Sequence, residues 1–248
     1  MVVRDFLNAD ELREAQAGLW ESGLQRPEEF FAESNAEGRE KFRKGPRFFA
    51  DTFPFASLAL NKLLLHPDLI DACERFLGAD VRLTIGHMMS KYAGVGKDSE
   101  WDPDYDQRFH RDYGNHTLVV PRADRQYDEV TTFLYLSDVT RANGATALVP
   151  RKVSDNRIPL GYNAQQGAIK SNRPVIPEDE YARLQQAEER AEGPAGSLLL
   201  YTYDGKCSTF SVPSTIKLSK QKLLRSLPPR HSLLHARRLA VHVLGGLL

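Results

Sequence analysis

Hydrophobic and polar positions change their period near the end of the first third of the chain. Up to about residue 80 the pattern is helical. After a short extended entry, VVRDFL, the apolar residues Leu12, Ala15, Leu19 and Trp20 recur at helix spacing. Asn8 stands at the N-cap with Glu11 three residues later, the arrangement of a capping box. Residues 27–50 are charged and carry paired aromatics, which predicts helix followed by loop. A second helical pattern runs from about 55 to 77. Pro67 interrupts it, and a new series from Asp68 to Leu77 stops at Gly78.

From residue 81 the apolar residues cluster in short runs rich in β-branched and aromatic types, as strands require. VRLTIGHMMSKYAG, DEVTTFLYLSDV, TALVPR and AGSLLLYTY are the predicted strands, and TRANGA is a turn between two of them, with Asn143-Gly144 as its turn chemistry. Residues 94–107 and 155–177 read as loops. PEDEYARLQQAEERAEG reads as a helix that starts at Pro177 or Glu178 and has Gly193 beyond its end. Helices first and short strands later predict an antiparallel β core of jelly-roll type with flanking helices, α+β or mainly β in class.

Composition narrows the function classes. With 248 residues, 41% hydrophobic and 27% charged, the chain can bury a substantial core. No apolar run approaches the roughly 18 residues of a membrane span, and Asp5 and Asp10 argue against an N-terminal targeting peptide. The expectation is therefore a cytoplasmic protein that engages no membrane. Two cysteines, Cys73 and Cys207, give neither a disulfide framework nor a CxxC metal site. The formal net charge of zero excludes a generic polyanion binder, hence no nucleic-acid partner.

That zero is a sum of opposites. Residues 205–248 hold 8 Lys and Arg and no acid, so residues 1–204 hold 33 − 8 = 25 basic residues against all 33 acids. The body is at −8 and the tail at +8, with the seam at Asp204.

The sharpest chemical feature is His110-Arg111-Asp112 within QRFHRDYGNH. On an extended segment, residues i and i+2 point to one side. An imidazole and a carboxylate so aimed are two thirds of a facial triad for non-haem iron, whose opposite face stays open for a chelating cosubstrate and O2. The other histidines carry less. His87 on an apolar strand reads as a core or pocket residue, His66 before Pro67 as structural, and His116 as a loop residue facing either cleft or solvent. Tyr113 and Thr132 either line a pocket or pack.

Upstream of HRD lies a strand ending in Ser90-Lys91-Tyr92. Downstream come LSDVTRANGATALVP and then GSLLLY. In this order the segments resemble the phytanoyl-CoA dioxygenase family of Fe(II)/2-oxoglutarate oxygenases, from about Val2 to Asp204. The resemblance implies a double-stranded β-helix that holds iron through His110, Asp112 and a distal histidine beyond GSLLLY. It implies 2-oxoglutarate as chelating cosubstrate, O2 as oxidant and ascorbate as an accessory reductant. It also implies an arginine that binds the far carboxylate, a task suited to a planar, two-donor fork. Lys91 matches a cosubstrate-binding position of the family and Thr132 the same pocket. Asp112 favours hydroxylation, because halogenating relatives carry a small residue there. The expected substrate is a small organic molecule.

Past Asp204 the chain departs from the family pattern. A histidine is expected a few residues after GSLLLYTYD, yet none occurs before His231. Two readings stand. In one, Gly205-Lys206-Cys207 is encoded across an intron donor, and residues 205–248 are a retained intron followed by a frameshifted exon; a mature message keeping these codons in frame would refute it. In the other, His231 or His235 is the third ligand, with Arg230, Arg237 or Arg238 near the cosubstrate. LAVHVLGGLL is then an exposed apolar tail or a poorly ordered helix. The competing functions are a catalytically impaired jelly-roll protein lacking the distal ligand, and a cupin-like metal-binding domain.

Overall fold

A computed structural model describes residues 1–44, 49–90, 129–141, 145–150, 153, 177–202, 218–219 and 237–245. The chain enters as a short strand, β1 (Val2–Arg4), and turns at Asp5, whose φ of 52° is left-handed backbone that Asp tolerates. Helix α1 (Ala9–Glu21) starts on the predicted capping box. Asn8 Oδ1 accepts from the backbone N–H of Asp10 and Glu11, both at 2.9 Å, and Glu11 Oε2 accepts from the Asn8 N–H at 2.8 Å. Next come α2 (Pro27–Phe30), a 3-10 turn (Glu33–Asn35), α3 (Ala36–Lys44) and β2 (Phe49–Thr52).

The break at Pro67 separates α4 (Leu58–Leu64) from α5 (Pro67–Leu77). His66 caps α5 and Gly78 ends it at φ 69°, the left-handed position that glycine takes without strain. Strands β3 (Val81–Ser90), β4 (Glu129–Tyr135) and β5 (Ala147–Leu148) follow, then α6 (Glu178–Gln186) and strands β6 (Glu189–Arg190), β7 (Leu198–Thr202), β8 (Leu218–Ser219) and β9 (Arg237–Gly245).

Seven strands form one sheet in the order β2-β3-β9-β4-β7-β1-β8, and β5 pairs with β6 separately. The sheet is mixed, whereas the sequence reading expected an antiparallel core. Neighbours β2-β3, β4-β7 and β7-β1 are antiparallel, but β9 runs parallel to both β3 and β4, and β8 runs parallel to β1. The cause lies in β3 and β4, which run the same way one strand-width apart. Each turns a row of backbone donors and acceptors toward that gap, and β9 satisfies both rows. Through Gly245, the segment expected as an exposed tail or loose helix is therefore an interior strand, the third of the seven.

A second departure is the end of α6. The helical pattern continues to Glu192, but the helix stops at Gln186. Pairing of Ala147 with Arg190 and Leu148 with Glu189, plus a 2.9 Å bond from the Ala191 N–H to the Thr146 carbonyl, draws this backbone into a ladder. Tertiary pairing overrides helix propensity here.

The helices cover one face of the sheet. Leu19 of α1, Leu60 and Leu64 of α4, and Leu69, Cys73 and Leu77 of α5 pack on Met88, Val130, Leu134, Leu198 and Leu200 in one buried cluster. Gly86 of β3 makes the contact with α4 close: a Cβ there would lie 2.9 Å from Phe53 Cβ and still nearer to Leu64 Cδ2. On the opposite face Tyr135, Leu199 and Tyr201 form a second cluster with Val139, Ala145, Leu148 and Ala191.

Candidate functional site

Strand register assigns each residue to a face, because directly paired residues share one and alternate residues along a strand share one. One row on the face away from the helices runs Thr52, His87, His242, Phe133, Leu199, Val2 across β2, β3, β9, β4, β7 and β1. The neighbouring row on that face is Ile85, Ala240, Thr131, Tyr201, and beyond it Arg238 pairs with Glu129. The cluster of Phe133, Tyr135, Leu199 and Tyr201 on this side agrees with the assignment.

Thr132, one of the residues read as a cosubstrate contact, lies on the other face. It is fully buried, and its register partners are Leu200 and Val241, with Leu200 in the helix-packed cluster. Its neighbour Thr131 is the residue that shares the helix-free face. Thr131 is equally buried, and its Oγ1 has no hydrogen-bond partner among the described residues. An unsatisfied buried hydroxyl costs roughly 1–3 kcal/mol, which makes Thr131 a candidate for ligand contact that sequence reasoning missed. EVTTFLYL carries large apolar residues on both sides, so alternation alone could not decide which threonine faces which way. Beside it, Phe133 and Tyr201 stack with ring centroids 5.7 Å apart and planes 8° from parallel. Tyr135 fixes the end of this face: its hydroxyl donates to the Ala191 carbonyl at 2.8 Å, and burial pushes its pKa up, so it acts as a neutral structural donor.

His110, Asp112, Lys91, Arg230 and His231 lie outside the described residues, as do Tyr113, His116, His235 and the Asn143-Gly144 turn. His110 and Asp112 fall on the connection from β3 to β4. Those strands are parallel, so this connection starts at one end of the sheet and finishes at the other. Arg238, weighed in the sequence as a cosubstrate residue, falls on β9 in the Thr131 face, while Arg237 alternates to the other. Among the described residues no three His, Cys, Asp or Glu side chains gather as a metal site.

Two other groups resolve as structural. The His66 Nδ1 accepts from the Asp68 N–H at 3.1 Å, so its Nε2 carries the proton and donates to Glu11 Oε1 at 3.1 Å. His66 thereby ties the start of α5 to the start of α1, as its position before Pro67 suggested. It borders a depression of about 410 Å³ with Glu11, Glu14, Leu58, Lys62 and Leu65, on the helices rather than on the sheet face. Cys73 is buried in the core, and burial raises its thiol pKa, which removes it as a nucleophile.

Among the described residues no helix is long and apolar enough to cross a membrane. No curated protein and no solved structure matches the chain. A family model does: phytanoyl-CoA dioxygenase (PhyH) matches residues 1–203, including the HRD segment and every strand through β7. The match ends beside Asp204, where the charge balance reverses. The chain belongs to the phytanoyl-CoA dioxygenase family.

Proposed function

We propose that the protein is an Fe(II)- and 2-oxoglutarate-dependent dioxygenase that hydroxylates a small organic substrate, with residues 1–204 as the oxygenase domain, built as a jelly roll. The observation that carries the reading is the family match over residues 1–203, which contains His110 and Asp112 in their HxD spacing. What supports a cosubstrate pocket on the helix-free face is Thr131, whose buried hydroxyl has no hydrogen-bond partner among the described residues. In this reading His110 and Asp112 hold iron, and His231 supplies the third imidazole. Lys91 and Arg230, with Thr131 and Arg238, are the candidate cosubstrate contacts. When bound, iron and 2-oxoglutarate supply the oxidising chemistry, in which 2-oxoglutarate and O2 yield succinate, CO2 and hydroxylated substrate. The protein's own part is to orient both ligands and keep bulk water away, for which the stacked Phe133 and Tyr201 form an apolar wall.

A second reading, a catalytically impaired relative, is favoured by one observation. The match stops at residue 203, before the stretch where the resemblance puts the third ligand. Anaerobic titration with Fe(II) and 2-oxoglutarate separates the two. The first reading expects the visible charge-transfer band of the chelate and succinate release on admission of O2. Absence of both assigns this chain to the second. His110→Ala and Asp112→Ala should each abolish iron binding, and stoichiometric iron in both variants overturns the ligand assignment.

A further inference from the structure

We propose that the depression lined by α1 and α4 is the interface of a two-fold homodimer, in which Lys62 of each copy meets Glu14 of the other. The inference starts from exposed apolar surface. Leu58 opens α4 and Leu65 follows its last residue, about 10 Å further along, and both line the depression. They are 67% and 52% exposed, whereas Leu60, Leu63 and Leu64 of the same element are buried in the core cluster. α4 is therefore apolar on two sides, and the side that carries Leu58 and Leu65 stays in solvent. Ala59 and Pro67 line the same depression and extend the apolar surface. Isolated surface leucines are ordinary, but two on one side with apolar neighbours form a patch whose burial is favourable.

The charges on the rim select the occupant. Glu11 is committed to the Asn8 N–H and to His66, and the Asn61 side chain to the Phe55 backbone. Glu14 on α1 and Lys62 on α4 are exposed, and neither has an ion pair or hydrogen bond among the described residues. An anionic lipid surface would meet Glu14 unfavourably, and a basic segment would meet Lys62 unfavourably. A second copy of this chain brings one charge of each sign. A two-fold axis through the depression sets α4 of each copy over α1 of the other, so the Lys62–Glu14 contact forms twice while the leucines leave water. None of these residues belongs to the iron or cosubstrate reading.

The test is sedimentation velocity on the full chain over a concentration series from about 1 to 100 µM, where a modest interface shows its monomer–dimer equilibrium. A reversible dimer is expected. Leu58→Glu should weaken it by at least about tenfold, because it puts a charge into the apolar centre. Glu14→Lys and Lys62→Glu should each weaken self-association by about tenfold, because symmetry counts each repulsive pair twice. Mixing these two variants decides the geometry. Each is repelled by its own copies, yet together they restore both opposite-charge contacts, so the mixture should form a heterodimer that high salt weakens. All these substitutions are at exposed positions, and circular dichroism checks that each variant keeps the wild-type spectrum. A chain that stays monomeric throughout overturns the proposal, whether or not it floats with anionic vesicles. A dimer undiminished by Leu58→Glu, or a mixture of the two charge variants that does not associate, overturns it as well. Failure of the iron titration leaves these outcomes unaffected.

Discussion

Gly86 is the tightest approach between the helices and the sheet, and its replacement by alanine gives a test of how that interface is built. The added Cβ would lie 2.9 Å from Phe53 Cβ and closer to Leu64 Cδ2, separations that carbon atoms do not sustain. Leu64 is fully buried in the cluster beneath α4 and cannot move without disturbing Leu60 and Leu69. Overpacking of this kind costs about 1–3 kcal/mol. Lower backbone entropy in the unfolded alanine chain offsets roughly 0.5–1 kcal/mol of it. A net loss of about 1–2 kcal/mol is expected, a fall in melting temperature of about 2–8 °C for a chain of this size. Leu64→Ala alone should cost about 2–5 kcal/mol through its cavity. Combined, the two should cost less than their sum, because the alanine methyl enters the space that Leu64 vacates. Phe53 lies at the surface edge and can shift aside. Urea denaturation of the two single variants and the double variant completes the cycle, with a coupling of about 1 kcal/mol or more expected. Strict additivity within about 0.3 kcal/mol would show that Gly86 does not contact Leu64, and the packing argument would fall with it.

Tyr135→Phe removes the donor to the buried Ala191 carbonyl and should cost about 1–3 kcal/mol in chemical denaturation with little change in secondary structure. A neutral result would mean that water replaces the hydroxyl. The Met1 amine donates to the Leu200 carbonyl at 2.8 Å, and burial holds its pKa down at about 5 rather than 8. A base with a lowered native pKa loses stability as pH falls, because the unfolded chain takes up its proton first. The stability should therefore drop between pH 8 and pH 5, by up to about 4 kcal/mol, and this part of the pH profile should vanish when the amine is acetylated. An unchanged profile after acetylation would refute the assignment.

Local chemistry was legible in the sequence where one or two neighbours decide the structure. The Asn8–Glu11 capping box, the break at Pro67 and the stop at Gly78 depend only on nearby backbone, and all three are present. The family was legible because its motifs lie in a recognisable order. Features settled by distant partners were not. Glu189 and Arg190 carry helical spacing yet pair with β5, and the Thr146 carbonyl and the Tyr135 hydroxyl claim the backbone of Ala191 beside them. Thr131 and Thr132 are indistinguishable in sequence, and only the register with β7 gives each its face. The register shift between Leu83 and Ile85 likewise decides which residues of β3 share a face with β9. His110 and Asp112 lie outside the described residues, so their reading still rests on spacing and on the family.

The place of β9 between β3 and β4 has a kinetic consequence. Val81 pairs with Arg237, and closing that contact spans 237 − 81 = 156 residues, an entropic cost of about 4.5 kcal/mol for a flexible chain. Contacts of such separation slow folding. The β2-β3 ribbon and the β4-β7-β1 unit can each form from segments synthesised earlier, but among the described residues no other strand joins them. Until residue 245 has left the ribosome, the facing edges of β3 and β4 lack β9 and are open to any extended chain, so this late strand bears on both the rate and the fidelity with which the described sheet assembles.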